Sequence, residues 1–383
     1  MSATTAAQVQ ATILTQPSEI EAIAPQWDAL FARCPHAAVA LTPTWMLAWW
    51  ASYGSAYANG VGALRVICVH RGDALIGVLP LYRRRNMARI GPSPHEWLLL
   101  SSGEAEHEES CTEYLDLLCR DEDGGDCVAA VATCLQRWPW QRIALRLLDR
   151  RTALAGLSGA LADFALVRIR DAGVCPIADL SGGMEAYLAR LSSSARYRMR
   201  RALREADSDA LRFHVASADE AVGALDELGR LHQQHWVEAG SPGCFAAPRW
   251  VDFHRRLLAT LYPQGRAVIA TLYASDQAVA AIYGFLAHGS FHYYQTGVSR
   301  ESIPGVRSPG ILANLLLMRH LAEHGVTSYD FLRGQSRYKR ELSTREGGLV
   351  DIEIWRKSAV ARSWMRLYPG WLRVLRKLRL IRV

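Results

Sequence analysis

Between His292 and Lys339 the chain gathers the side chains best suited to chemistry. The stretch Gly305-Val306-Arg307-Ser308-Pro309-Gly310 leads into an apolar run at helical spacing. A helix opening there presents unpaired N–H groups and the positive end of its dipole, flanked by the Arg307 charge and the Ser308 hydroxyl. With Asn314 one turn further in, this is an anion site fit for a pyrophosphate. A plain N-capped helix, with Ser308 capping and Gly305 turning the chain, reads equally well from the same residues. Next comes Asp330-Phe331-Leu332-Arg333-Gly334, followed by Tyr338-Lys339. Lys339 could stabilise an oxyanion electrostatically, and Tyr338 could donate to a leaving group or position an acceptor. Asp330, within an apolar strand, needs a partner, and Arg333 or Lys339 could supply it. That pairing shapes a site with Gly334 or simply holds the strand end.

His292 and Tyr294 share a strand face by alternation. His292 is a candidate general base, with side-chain packing as the competing reading. Tyr294, His235 and Trp236 are candidate linings of an acceptor pocket, although helix packing also accounts for the last two. Six arginines lie between Arg190 and Arg204, with Arg196, Arg200 and Arg204 at helical spacing. Arg196 and Arg200 in particular could grip a phosphate, an RNA or an acidic glycan. No serine or cysteine sits in a nucleophile motif with a base beside it, so direct transfer is expected over a covalent intermediate.

Periodicity and turn chemistry place the elements that must hold these groups. Helices are expected over 19–33 (capped by Ser18), from Thr42-Pro43 onward, and over 127–137, 152–161, 184–206, 218–238, 248–261 and 309–323. Strands are expected over 63–70, 75–82, 142–147, 165–169, 211–216, 267–273, 278–286, 290–297, 328–332 and 349–355. The acidic segment Glu104–Glu109 reads as a solvated loop. The fold class is α/β or α+β, with antiparallel strands crossed by helices in each half.

At 383 residues the chain is long enough for two domains. The division expected is 1–180, 181–358 and a basic tail, 359–383. Nine of the 44 basic residues fall between Arg356 and Arg382 with no acid among them, leaving 35 basic against 37 acidic residues elsewhere. The tail after Pro369-Gly370 could lie on an anionic membrane or pack its leucines on the body. Eight scattered cysteines without CxxC or zinc spacing suit reduced thiols, and no metal is expected. The N-terminus has no signal-like apolar core, and no apolar run is long enough to span a bilayer. A cytoplasmic location, peripheral at the inner membrane through the tail, is the expectation.

Taken together, these residues resemble the CelD/BcsL-like proteins of bacterial exopolysaccharide loci, within the FemAB-like, double-GNAT acetyltransferases. The resemblance runs over most of the chain. Its first half rests on Leu41-Thr-Pro-Thr-Trp45 with Trp49-Trp50, Leu79-Pro80-Leu81-Tyr82, Glu113 to Leu118 and Trp138-Pro-Trp140-Gln141. Its second half rests on Leu191-Ser192 with Arg196 to Arg201, and on His235-Trp236 with Phe245. Its most specific pieces are Ser308-Pro309-Gly310, Asp330 to Gly334, and Tyr338-Lys339. The resemblance implies tandem GNAT-like domains, each a mixed, mostly antiparallel sheet flanked by helices. It further implies acyl transfer from acetyl-CoA or another acyl-CoA to a hydroxyl or amine of a small or glycan acceptor. Fem proteins proper take aminoacyl groups from tRNA. This chain shows no helical arm of the kind some of them insert, which sets a tRNA donor second. A non-catalytic scaffold of a polysaccharide-synthesis complex is a further alternative.

Overall fold

The computed structural model describes residues 8–84, 94–206, 210–301, 306–334 and 336–377. Two compact units are present, one of Met1–Ala172 with Leu349–Val383 and one of Gly173–Gly348. In chain order the first unit holds β1 (Val9–Leu14), α1 (Pro17–Ala32), α2 (Pro43–Tyr57), β2 (Leu64–Arg71), β3 (Ala74–Arg83), β4 (Glu96–Leu99), β5 (Leu118–Cys119), α3 (Gly124–Arg137), β6 (Arg142–Asp149) and α4 (Leu157–Ala160). β7 (Ala165–Asp179) leads into the second unit. There follow α5 (Gly183–Arg190), α6 (Ser193–Glu205), β8 (Leu211–Val215), α7 (Ala221–Glu238), α8 (Pro248–Leu261), β9 (Ala267–Ala274), β10 (Gln277–Ala287), β11 (Ser290–Val298), α9 (Pro309–Glu323), β12 (Ser328–Asp330) and α10 (Arg337–Leu342). β13 (Arg345–Arg356) and α11 (Ala361–Lys377) end the described chain.

The sheet of the first unit runs in the order β1-β2-β3-β4-β6-β13, with β5 also on β3; among these pairings of described residues only β4–β6 is parallel. β13 pairs along β6 from Leu349 opposite Asp149 to Trp355 opposite Arg142. This pairing draws the segment after Gly348 into the first unit. The sheet of the second unit runs from the Ile177–Asp179 end of β7 through β12, β11, β10 and β9 to β8. Here only β11–β12 is parallel. The fold class read from the sequence, mixed and mostly antiparallel sheets flanked by helices, is the one observed.

Several local expectations need correction. The helix expected over 184–206 is two helices, because Leu191 is extended and the Ser192 Oγ accepts from the Ala195 N–H at 3.3 Å. Ser192 is thus a cap, with Ser193 and Ser194 in the first turn of α6. Gln16, not Ser18, caps α1, with Glu19 closing a capping box. The 152–161 helix shrinks to a 3-10 turn and α4, where Gly156 and Gly159 weaken helix propensity. α9 is not amphipathic, since Leu312 to Met318 are all buried. It is covered by α5 and α6 on one side and by β9 to β11 on the other.

The acidic segment expected in solvent is folded inward at Glu104 and Glu108, while Glu106 and His107 stay exposed. Trp49, Tyr53 and Tyr57 sit four apart on α2 and carry polar tips that need acceptors once buried. The Trp49 indole N–H and the Ser110 hydroxyl donate to the Glu104 carboxylate. Tyr57 donates to Glu108 Oε1 at 2.6 Å, and Tyr53 to the Glu108 carbonyl at 3.0 Å. Burial pushes the Glu104 carboxyl above its ordinary range.

Candidate functional site

The site in the second unit begins with a mismatch between two strands. On β10, Tyr283 faces Gln295 while the next residue, Gly284, faces Tyr293, so Tyr294 is an extra residue in β11. Such a bulge bends its strand and re-aims neighbouring side chains. Gly284 is what permits it, because a Cβ there would lie 2.3 Å from the His292 carbonyl oxygen and 2.3 Å from Phe291 Cζ. On its other edge β11 pairs with β12 only from Ser290–Ser328 to His292–Asp330. β11 continues to Val298, whereas β12 ends at Asp330. Pairing between the two parallel strands therefore stops just before the bulge, and from there they part.

The chain leaving β12 turns sharply. The Asp330 carboxylate accepts from the Leu332 N–H at 2.7 Å, and Leu332 takes a positive φ of 56°. Phe331 stays tied by its N–H to the Pro176 carbonyl, at 2.9 Å. Lys339, on α10, reaches back and donates from Nζ to the carbonyls of Phe331 at 2.7 Å and Arg333 at 3.1 Å. The same ammonium lies 5.7 Å from the centre of the Tyr293 ring. Gly334 sits at φ 132°, and a Cβ there would come within 3.2 Å of Lys339 Nζ, so its missing side chain makes room for the lysine. The Tyr338 and Tyr293 hydroxyls are 3.2 Å apart. Burial raises the pKa of both, so both carry their protons near neutral pH.

Beyond the end of β11 lies the tip of α9. Gly310 packs against Val298, with Val298 Cγ2 3.0 Å from where a Cβ would stand. Arg307 and Ser308 are exposed, and Ser308 makes no side-chain cap. The first intrahelical N–H is that of Leu312, bonded to the Ser308 carbonyl, which leaves the Gly310 and Ile311 N–H groups outside the ladder. The Glu205 carboxylate of α6 accepts from the Arg307 backbone N–H at 3.5 Å. Asn314 is buried, donates to the Gly310 carbonyl at 2.8 Å and accepts from the Tyr329 hydroxyl at 2.8 Å. The structure thus gives it the work of fixing the helix tip against β12, not an exposed amide for a ligand. Gly305 lies outside the described residues.

The other sequence candidates divide. His292 stands beside Asp330 in the parallel register, and burial lowers its pKa more than the carboxylate raises it, so it is neutral near pH 7. Asp330 is buried. Arg333 is exposed. His235 and Trp236 sit on the exposed end of α7, where His235 Nδ1 is 2.8 Å from the Arg300 guanidinium. On α6, Arg200 pairs with Glu185 at 2.7 Å, Arg198 with Glu341 at 3.6 Å and Arg201 with Glu205 at 3.9 Å. The arginine row therefore meets Glu185 of α5 and Glu341 of α10 as well as Glu205 of its own helix. Among the described residues Arg196 approaches only the Leu191 carbonyl, at 3.5 Å.

A second group, not anticipated from the sequence, lies around Tyr294. His254 of α8 is fully buried and bridges the hydroxyls of Tyr283 at 3.3 Å and Tyr294 at 3.1 Å. Gln295 donates to Cys244 Sγ at 3.3 Å, and His232 Nε2 is 3.8 Å from the same sulfur. Burial pushes the Cys244 thiol up to about 12 and lowers His232, so this pair is uncharged near neutral pH. The only sequence signal was the four-residue spacing of Trp250 and His254 on one helix. Cys244 and His232 are joined only by the fold.

Burial holds His254 well below its ordinary value of 6.5. The unfolded chain takes up a proton near that value, which the folded protein refuses until lower pH. The contribution of this residue is therefore complete above about pH 6.5 and falls on acidification, by at most about 1.4 kcal/mol per pH unit. His254→Asn is expected to cost about 2 kcal/mol near pH 8 and progressively less toward pH 5. Denaturant melts across that range test this, and a cost independent of pH would contradict it.

Comparison with known proteins finds likeness at the level of domain family and fold. Residues 193–340 match the model of an acetyltransferase (GNAT) domain family, a span that covers the bulge, the parting strands, the α9 tip and Lys339. Comparison with curated proteins returned no match. Among solved structures, FemX aligns at 12% identity over 88% of this chain and 96% of its own, with a TM-score of 0.57. The C-terminal DUF2156 domain of an Agrobacterium fabrum protein described as a lysylphosphatidylglycerol synthetase aligns at 13% identity over 91% and 95%, with a TM-score of 0.54. L-PGS from Bacillus licheniformis aligns at 12% identity over 92% and 96%, with a TM-score of 0.50. At such identities the likeness speaks for the fold alone: this is a mixed α/β chain that shares its architecture with FemX and the synthetase domain, and whose second unit resembles a GNAT acetyltransferase domain.

Proposed function

We propose that the chain is an acyltransferase that takes an acyl group, acetyl in the simplest case, from acyl-coenzyme A and passes it directly to a hydroxyl or amine. The observation that carries this reading is the parting of β11 and β12 beside the open tip of α9. A thioester chain is narrow and polar along its length. It fits between two strands that stop pairing, where backbone groups are left to meet it. Its pyrophosphate would rest on the Gly310 and Ile311 N–H groups with Arg307 alongside. In the reaction the acceptor oxygen or nitrogen attacks the thioester carbon and its proton passes to neutral His292. The C–S bond then breaks and the thiolate takes a proton from Tyr338. Lys339 lends positive charge where the carbonyl oxygen becomes an oxyanion. A sugar or polysaccharide precursor as acceptor rests on the sequence resemblance to exopolysaccharide proteins. Tyr294, Arg333 and Gly334 are the residues assigned to it.

An aminoacyl-tRNA donor is the second reading, favoured by the exposed Arg204 and half-buried Arg196 on α6. The ion pairs of Arg198, Arg200 and Arg201 with carboxylates count against it. Calorimetric titration with acetyl-CoA and with bulk tRNA separates the two. Acetyl-CoA is expected to bind, and tRNA not to bind at physiological salt. Tight, steeply salt-dependent tRNA binding without acetyl-CoA binding would reverse the assignment.

Glu205 offers a sharper test. Its carboxylate stands where a phosphate would come, so Glu205→Gln is expected to tighten acetyl-CoA binding about fivefold at low salt, with less gain as salt screens the charge. Unchanged or weaker binding in that variant would place the phosphates elsewhere.

A further inference from the structure

The outer face of α11 is organised in a way that acyl transfer does not use. Its inner seam is fixed on the first unit: Tyr368 and Leu375 are buried, and Tyr368 packs edge-on against Trp355 and Trp364. The Arg142 guanidinium lies over the Tyr368 ring at 5.1 Å, and Arg168 donates to the Met365 carbonyl at 3.1 Å. Leucine packing, one of the two readings of this tail, therefore accounts for the seam, with Trp371 and Leu372 half-buried beside it.

The opposite side is different. Arg362, Arg366, Arg373 and Lys377 are all exposed. At 3.6 residues per turn they fall within an arc of about 60°, on the side away from Tyr368 and Leu375, in a row about 22 Å long. None has an acidic partner among the described residues, and no Asp or Glu follows Glu353 in the sequence. Beside this row, displaced by roughly 100°, Leu367 is 68% exposed and Val374 46%. A cationic row flanked by outward apolar side chains is complementary to an anionic surface with hydrocarbon just below it. A symmetric second copy would set one cationic row against another. A nucleic acid would match the charges but leave Leu367 and Val374 with nothing to bury against.

We infer that the outward face of α11 docks the protein on an anionic phospholipid bilayer, peripherally and without insertion of the helix. No helix among the described residues is long and apolar enough to cross a membrane. The inference is independent of which group the second unit transfers.

Co-sedimentation of the full chain with phosphatidylglycerol/phosphatidylcholine vesicles, against phosphatidylcholine vesicles alone, tests it. Binding is expected only with the anionic lipid, and is expected to be lost at about 1 M salt, where the Debye length is about 3 Å. The double variant R366E/R373E should lower partitioning at least about tenfold. L367S/V374S should lower it by a smaller factor, about threefold. All four side chains are exposed, so melting curves should match the parent. Equal binding to both vesicle types, or wild-type partitioning of R366E/R373E, overturns the inference. So does binding of bulk tRNA through these arginines with no vesicle binding.

Discussion

Lys339→Met is expected to leave acetyl-CoA binding within a fewfold of the parent and to lower the rate of transfer about a hundredfold or more. The reason lies in what its ammonium touches. Two of its protons are held by the carbonyls of Phe331 and Arg333, and the charge rests against the face of Tyr293, at the mouth of the parting strands. In that position it holds the turn after β12 and also projects positive charge into the opening. A preorganised cation or donor at a developing oxyanion is commonly worth a factor of about 10² to 10³ in rate. The structural share is separable. Hydrogen bonds from a charged group contribute about 1.5–3 kcal/mol, so the variant should also melt earlier. If the lysine only held the turn, binding and turnover would fall together. A folded Lys339→Met protein that transfers at near parental rate would remove the lysine from the mechanism.

Gly284→Ala should destabilise the second unit by about 3 kcal/mol, a fall in Tm of roughly 10 °C for a unit of this size. The added methyl group would stand 2.3 Å from the His292 carbonyl oxygen, and a main-chain atom inside a sheet cannot swing aside as a side-chain tip can. The clash can be relieved only by shifting β11 against β10, which removes the bulge at Tyr294. Activity should therefore disappear even below the melting temperature. Gly223→Ala in α7 is the matched control, because nothing lies within 4 Å of its added Cβ, and it should stabilise by about 0.5–1 kcal/mol. Comparable Tm values for the two variants would mean that the glycine is not what holds the bulge.

The parts of this site that could be read in advance are those written in local chemistry. Ser308-Pro309-Gly310 marks a helix start, and α9 begins at Pro309. The meander β9 to β11 follows from turn residues and apolar runs, and its boundaries differ from the expectation by one residue at most. What the sequence concealed depends on partners distant along the chain. Nothing in His292-Tyr293-Tyr294 announces a bulge; the clue was a glycine in the facing strand, at 284. Tyr338-Lys339 lies on a short helix that the sequence did not announce, with the lysine bonded to the Phe331 and Arg333 carbonyls. Glu104 and Glu108 looked solvated because their donors, Trp49 and Tyr57, lie some fifty residues earlier, whereas Glu106 is exposed as the sequence suggested. The pairing of β13 with β6 likewise joins segments about 200 residues apart, which no local pattern encodes.

Amide hydrogen exchange with and without acetyl-CoA is the most direct test of where the donor sits. The account predicts slowed exchange at the α9 tip, Gly310 to Leu312, together with Tyr294 to Gly297 of β11, and no change in α2 or β3. Protection confined to other segments, or no protection at saturating acetyl-CoA, would contradict it.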